Sequence, residues 1–293
     1  MPSNLTLQEG TAVSTFETPQ PISATIDLAV GDVRISAGDS GITLVEVQPS
    51  DASNEEDRKL AERTRVEYAD EQLVVRAPKL RSWLSRSGGP SIDVTIELPA
   101  GSHVRGVLGL GDFHCDGRLG DCEIKTGLGR IRLDQAGTLT LRSGAGDISV
   151  ERASGRAEVT AGSGDVRLGE LDCDAVVKSS NGDTWVGTAR GDLRLNTANG
   201  SVAVDLAQAG VSAKSANGDV RIGEVVRGSV VLETKIGDLE VGIREGTAAW
   251  LDVSSQFGHV HNALDASDAP ATAAETVEVR ARTSVGEVVI RRP

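Results

Sequence analysis

The sequence predicts an all-β protein built as a parallel β-helix-like solenoid, and three observations carry that expectation. A glycine-centred motif recurs at Gly146, Gly164, Gly182, Gly200 and Gly218, four successive steps of 18 residues. Apolar residues alternate on both sides of these glycines with the period of two that marks a strand with one buried face. Aromatic residues make up only 2% of the chain, which suits a thin core filled by Val, Ile, Leu and Ala. So constant a period marks a repeat architecture, not a catalytic motif.

Each copy supplies two strands. Two and four residues after the glycine stand pairs such as Ile148/Val150, Val166/Leu168, Val202/Val204 and Val220/Ile222. Seven and five residues before it stand Leu139/Leu141, Ala175/Val177, Leu193/Leu195 and Val211/Ala213. Seven residues after it, Ala136, Ala153, Leu171, Ala189, Ala207 and Val225 form a smaller inward position, giving each coil two long sides and one short one. The register extends to Gly111 and Gly129 on one side and to Gly237, Gly258 and Gly286 on the other, ten copies in all. Because the repeat never changes direction, the coils stack in parallel about 4.8 Å apart, with backbone groups paired to the coils above and below. An antiparallel meander is the alternative, since Asn181-Gly182, Asn199-Gly200 and Asn217-Gly218 also read as hairpin turns. The other copies carry Ala-Gly, Ser-Gly, Leu-Gly or Ile-Gly and favour the solenoid.

In chain order, residues 1–21, with Pro2, Pro19 and Pro21, form an N-terminal arm. Residues 22–100 form a degenerate β and capping region. Its first part already obeys the repeat, with Ala24, Ile26, Gly31, Val33 and Ile35 at the core positions of a first coil. A strand over Ile42 to Val47 follows, then a short helix over about 54–65, signalled by the polar Ser53-Asn54 and the acidic Glu55-Glu56-Asp57. Strands at 65–68, 73–77 and 91–98 complete the region, and Lys79 to Pro90, with Arg81, Trp83 and Arg86, reads as an exposed loop. Regular coils occupy 101–293. Solenoid ends expose strand edges, so residues 54–77 are expected to cover one end, and the Asn262 to Thr276 insertion with the final strand Gly286 to Arg291 to shape the other.

Thirty basic against 43 acidic residues, a net charge of −13, argue against phosphate-backbone binding, so no nucleic-acid partner is expected. The chain has no 18-residue apolar run, and Met1 to Gln20 lacks the pattern of a secretory signal, which predicts a cytoplasmic protein without a membrane-spanning segment. Cys115, Cys122 and Cys173 form no CxxC pair and read as small buried thiols.

The polar columns of the repeat read as structural. Asp112, Asp147, Asp165, Asp183, Asp219 and Asp238 directly follow their glycines, whereas calcium-binding nonapeptide solenoids separate the two by one residue. These side chains are therefore expected to close turns on backbone N–H groups. Ser143, Ser179, Thr197, Ser215, Thr234, Ser255 and Thr283 form a hydroxyl column, and Asn181, Asn199 and Asn217 an asparagine ladder. His259 and His261 flank Val260 and point outward without a third metal ligand in register. No catalytic residue, metal site or cofactor is expected.

Gly-Asp-Val-Arg-Ile at 31–35, Ile-Glu-Leu-Pro-Ala-Gly at 96–101 and the iterated Thr/Ser-x-x-Gly-Asp-Val/Ile-x-Val/Leu resemble the bacterial putative-adhesin family of β-strand-repeat proteins, a family of unknown function. The resemblance spans Ile22 to Arg291 and implies a right-handed parallel β-helix-like fold with no known enzymatic activity. Many members carry an export signal or membrane segment, and Met1 to Gln20 departs from them there.

The function expected is a non-catalytic binding scaffold, not an enzyme, with a protein or glycan held on a rigid outer face that carries Trp185, Arg167, Arg221 and Lys178. A self-assembling, cytoskeleton-like solenoid that associates end to end is one alternative. A polysaccharide-acting β-helix enzyme is the other; it needs a carboxylate cleft walled by inserted loops, for which the repeats between 111 and 242 leave no room.

Overall fold

The computed structural model describes residues 4–8, 11–78, 89–264 and 275–293. They are nearly all β, with one short helix, and divide into two units, Met1–Ser149 and Val150–Pro293. Each coil contributes one strand before its glycine, here called leading, and one after it, called trailing. Leading strands pair only with leading strands and trailing with trailing, so each unit has two sheets.

In the C-terminal unit the leading strands Ala157–Ser163, Ala175–Asn181, Leu193–Asn199, Val211–Asn217 and Gly228–Ile236 follow one another in sequence order. So do the trailing strands Val166–Leu171, Thr184–Ala189, Val202–Ala207, Val220–Val225 and Leu239–Ile243. All pair in parallel and in repeat register: Leu168 faces Val186, Val186 faces Val204 and Val204 faces Ile222. The antiparallel meander is thereby excluded for these coils. The inward residues Val166, Leu168, Leu195, Val204 and Ile222 are buried, as are the short-side residues Leu171, Ala189, Ala207 and Val225.

The corner glycines are a steric requirement. Gly200 has φ +138°, and a Cβ there would lie 2.1 Å from the carbonyl oxygen of Gly182 one coil away. The same close packing explains one irregular core position in the N-terminal unit. Phe113 is fully buried, and the leading strand beside it carries Gly106 where the coils on either side have Ile26 and Ile124; a Cβ at Gly106 would meet the Phe113 ring at 2.5 Å.

In both units the chain leaves the stack and a later coil takes the next place. In the N-terminal unit the coil of Gly31, built from Ser23–Val30 and Val33–Gly38, lies directly against the coil of Gly111, 80 residues later. Ala24 faces Val104, Val33 faces Phe113 and Ile35 faces Cys115, the register that the sequence assigns to a first coil. The chain between the two builds a cover. Ile92–Pro99 continues the trailing sheet in parallel, and Ile42–Pro49, Thr11–Glu17 and Asn4–Gln8 extend it antiparallel. Gln72–Arg76 and Arg65–Ala69 extend the leading sheet.

The expected helix forms over Glu55–Arg63, with Asn54 as its N-cap accepting the Glu56 amide at 2.9 Å. Its buried face is Asp57, Leu60 and Ala61. Asp57 accepts the backbone amides of Asp51 (3.2 Å) and Ser91 (3.1 Å), which ties the helix to the strands beside it. Phe16, from the outer trailing strands, and Tyr68, from the outermost leading strand, meet with ring centroids 5.1 Å apart and bridge the two sheets.

In the C-terminal unit the order is reversed at the last two coils. Glu275–Val285 and Val288–Arg291 insert between the coil of Gly237 and the coil of Gly258. The final strand Val288–Arg291 is therefore interior, and Thr247–Phe257 with Val260–Asn262 forms the end. This corrects the expectation that the final strand shapes the end. The physical reason lies in the inward residues: Val277, Val279, Ala281, Val288 and Ile290 of the inserted coil are all apolar and buried, whereas the Gly258 coil has polar Asn262 four residues after its glycine. Burying Asn262 in an apolar column would strand its amide, so that coil takes the end, where Asn262 is exposed.

Candidate binding face

Outward residues of the trailing strands line up in columns, because parallel coils in register repeat each side-chain position. Three residues after the glycines, Arg167 faces Trp185, Trp185 faces Ala203 and Ala203 faces Arg221. Arg167, Trp185 and Arg221 therefore share one column of one sheet. Lys178 does not join them. It lies on a leading strand, between Thr160 and Asn196, on the other sheet. A residue four before the glycine and one three after it both point outward, but the corner between them puts them on different sheets.

The column is less basic than its sequence reads. Arg167 pairs with Asp165 at 3.3 Å, and Arg221 pairs with Glu240 at 3.3 Å, which also binds Arg291 at 2.6 Å. Trp185 is 38% exposed and its Nε1 donates to Asp205 Oδ1 at 3.2 Å. The indole leans over Gly187, where a Cβ would lie 3.2 Å from Cη2. Arg167 and Trp185 thus each engage a carboxylate. What remains is a tethered, partly exposed aromatic on a rigid sheet, with Arg167 beside it on one side and Ala203, then Arg221, on the other.

The aspartates after the glycines act as the sequence suggested, and do so between coils. Asp32 Oδ1 accepts the Asp112 amide (2.9 Å), Asp112 that of Arg130 (2.8 Å), Asp165 that of Asp183 (3.1 Å), Asp183 that of Ser201 (2.8 Å), Asp219 that of Asp238 (2.8 Å) and Asp238 that of Glu287 (2.7 Å). A second column eight residues before the glycine went unread: Asp121 accepts from Thr138 (3.1 Å), Asp174 from Asp192 (2.9 Å) and Asp192 from Gly210 (2.9 Å). The Thr138 amide, outweighing burial, holds the Asp121 carboxyl below the usual carboxylate range. The signal was an aspartate recurring at the opposite corner, visible only once that corner is known to stack.

The asparagine ladder forms, Asn199 Nδ2 donating to Asn181 at 3.0 Å and Asn217 to Asn199 at 2.9 Å. In the hydroxyl column, Thr234, Thr283 and Ser255 donate to glycine carbonyls of adjacent coils at 3.1, 2.9 and 2.7 Å. At the short side Arg152 and Arg190 both bind Asp172, Arg152 at 2.7 Å, and flank Glu170 at 3.8 and 3.5 Å. The Arg152 hydrogen bond above all, joined by Arg190, holds the Asp172 carboxyl low.

A groove of about 490 Å³ runs along the leading sheet of the C-terminal unit, lined by Arg156, Asp174, Asp192, Arg194 and Ser212 among others. Its two aspartates, Asp174 and Asp192, are the ones whose Oδ1 atoms accept the backbone amides of Asp192 and Gly210. Burial pushes the Cys122 thiol up to about 12 and the Cys115 thiol well above its ordinary value, so neither supplies a thiolate. His259 and His261 stack at 6.1 Å on the terminal coil. Among the described residues no group of three His, Cys, Asp or Glu could hold a metal ion. No helix among them is long and apolar enough to cross a membrane. The loop that carries Arg81, Trp83 and Arg86, and residues 265–274 of the Asn262 to Thr276 insertion, lie outside the described residues.

Stacked parallel coils, stitched at two corners by aspartates and carrying outward columns of side chains, define a β-solenoid repeat protein. The chain belongs to the Toastrack DUF4097 family, whose profile matches residues 23–291. Among solved structures it is similar to a putative adhesin from Bacteroides fragilis, at 14% identity over 96% of each chain, with a TM-score of 0.39. It is also similar to a putative adhesin from Parabacteroides merdae, at 15% identity over 79% of this chain and 95% of that one, with a TM-score of 0.44. A putative lipid-binding protein from Parabacteroides distasonis matches at 10% identity over 97% of this chain and 96% of that one, with a TM-score of 0.28. No curated protein matches the chain.

Proposed function

We propose that the protein is a non-catalytic scaffold that holds a macromolecular partner, a protein or glycan, on the outer face of the trailing sheet of its C-terminal unit. The observation that carries this reading is the column Arg167, Trp185, Ala203 and Arg221, in which a half-exposed indole is held in place by Asp205 on a sheet whose backbone is fixed by the coils beside it. A pre-positioned aromatic with arginines in the same column loses little conformational freedom on binding and makes a good anchor. The arginines are already paired within the chain, so they contribute directional hydrogen bonds more than net positive charge. Lys178 belongs to the other sheet and is no part of this face.

Capture from native lysate and from a glycan panel tests the proposal, with wild type beside Trp185→Ala/Arg221→Ala. The double variant is expected to lose the partner while keeping its melting behaviour, because both side chains are on the surface. Equal recovery by wild type and variant overturns the assignment of this face. Lysate capture that also fails with Lys178→Ala points to the leading sheet instead.

A further inference from the structure

The terminal coil of the C-terminal unit is unlike any other strand edge among the described residues. Thr247–Phe257 and Val260–Asn262 end the leading and trailing sheets together, so two strands offer unpaired backbone groups side by side. From Thr247 to Asn262 the coil has a single formal charge, Asp252, and Arg282 of the neighbouring strand already binds it at 2.9 Å. Its inward residues Ala249, Leu251 and Val253 are only partly covered, Val260 is 42% exposed, Phe257 66% and Trp250 71%. Phe257 also continues an exposed apolar column through Val285 and Ile236. No Lys, Pro or bulge protects this edge, although such devices are how solitary sheets avoid pairing.

We propose that this coil is an interface with the same coil of a second copy. The occupant has to meet two strand edges across one apolar core, and an extended peptide meets only one. Another terminal coil presents two edges with the same separation between them. A two-fold axis across the end of the coil reverses the partner's strand direction, so the new pairing is antiparallel and each edge meets its own complement. The lack of uncompensated charge allows like to face like. Association stops at two, because a two-fold contact is closed and uses the terminal coil of both copies.

Sedimentation of the full chain over a series from about 1 to about 100 µM tests this. The expected result is a concentration-dependent species of twice the 30.5 kDa chain mass. Phe257→Lys and Val260→Lys, both surface changes, are expected to weaken the dimer more than tenfold, and Trp185→Ala to leave it unchanged. A wild type that stays monomeric throughout, or that forms open-ended assemblies, overturns the proposal. So does a dimer that survives both lysine substitutions. Hydrogen exchange on the unmodified chain gives a reading that does not depend on variants: amides of Thr247–Phe257 should gain protection as concentration rises, and unchanged protection across the series rejects this interface.

Discussion

The outermost strands of the two units solve the same problem differently. In each, the chain leaves the stack and a later coil takes the vacated place, at Gly111 against Gly31 and at Gly286 against Gly237. In the N-terminal unit the excursion between them returns as antiparallel strands, a helix tied down by Asp57, and the Phe16 and Tyr68 rings that close the gap between the sheets. In the C-terminal unit the described part of the excursion is simply one more coil, with Leu251, Val253 and Val260 partly exposed. A coil at the end of the stack thus leaves its inward residues partly exposed unless a change of strand direction or a helix covers it, which a further repeat does not supply.

The strongest test sets an interior coil against the terminal one. Val204 is 1% exposed between Val186 and Ile222, so Val204→Asp buries an unpaired carboxylate and should cost more than about 4 kcal/mol, or prevent folding. Val253→Asp, at an inward position of the terminal coil, should cost about 1 kcal/mol in the monomer, since water reaches it. Equal losses in denaturant melts would show that the terminal coil is as enclosed as the interior. Next in size is the anchor of the N-terminal cover. Asp57→Ala strands the Asp51 and Ser91 amides and should cost about 2 kcal/mol, with proteolysis starting in the Asn54–Arg63 region; an unchanged midpoint would mean the helix is not what holds that end.

A smaller effect of opposite sign is expected at Thr184. It occupies an inward position that neighbouring coils fill with Val166 and Val202, and its buried Oγ1 has no hydrogen-bond partner among the described residues. Thr184→Val should stabilise by about 1 kcal/mol, and a destabilised variant would reveal a partner for the hydroxyl. The smallest effect is on acid stability. The Asp172 and Asp121 carboxyls titrate below their ordinary value when folded, so their contribution is complete above a pH of about 4 and is lost as pH falls through the lowered folded values. Asp172→Asn should therefore flatten the acid limb of the stability curve while leaving its alkaline side alone; an unaltered acid limb would mean the Arg152 and Arg190 contacts are too solvated to matter.

The sequence by itself determined the coil. Its period, its two strands, its inward residues and its corner glycines were all legible, because alternation and turn chemistry are local and every coil repeats them under the same constraint. It also placed the first coil at Gly31 and the helix near residue 55, from signals confined to a few neighbouring residues. Only the tertiary structure decided which coils touch. The register of Gly258 and Gly286 reads equally well in either stacking order; the choice falls on the one that keeps Asn262 out of the core, a cost that exists only once coils compete for a covered place. The face around Trp185 divides the same way. Alternation shows that Lys178 and Trp185 both point outward, but the sheet each belongs to depends on a corner in three dimensions; Asp165 lies two residues from Arg167 in the same coil, whereas Asp205 comes within reach of the indole only through the stacking of the next coil.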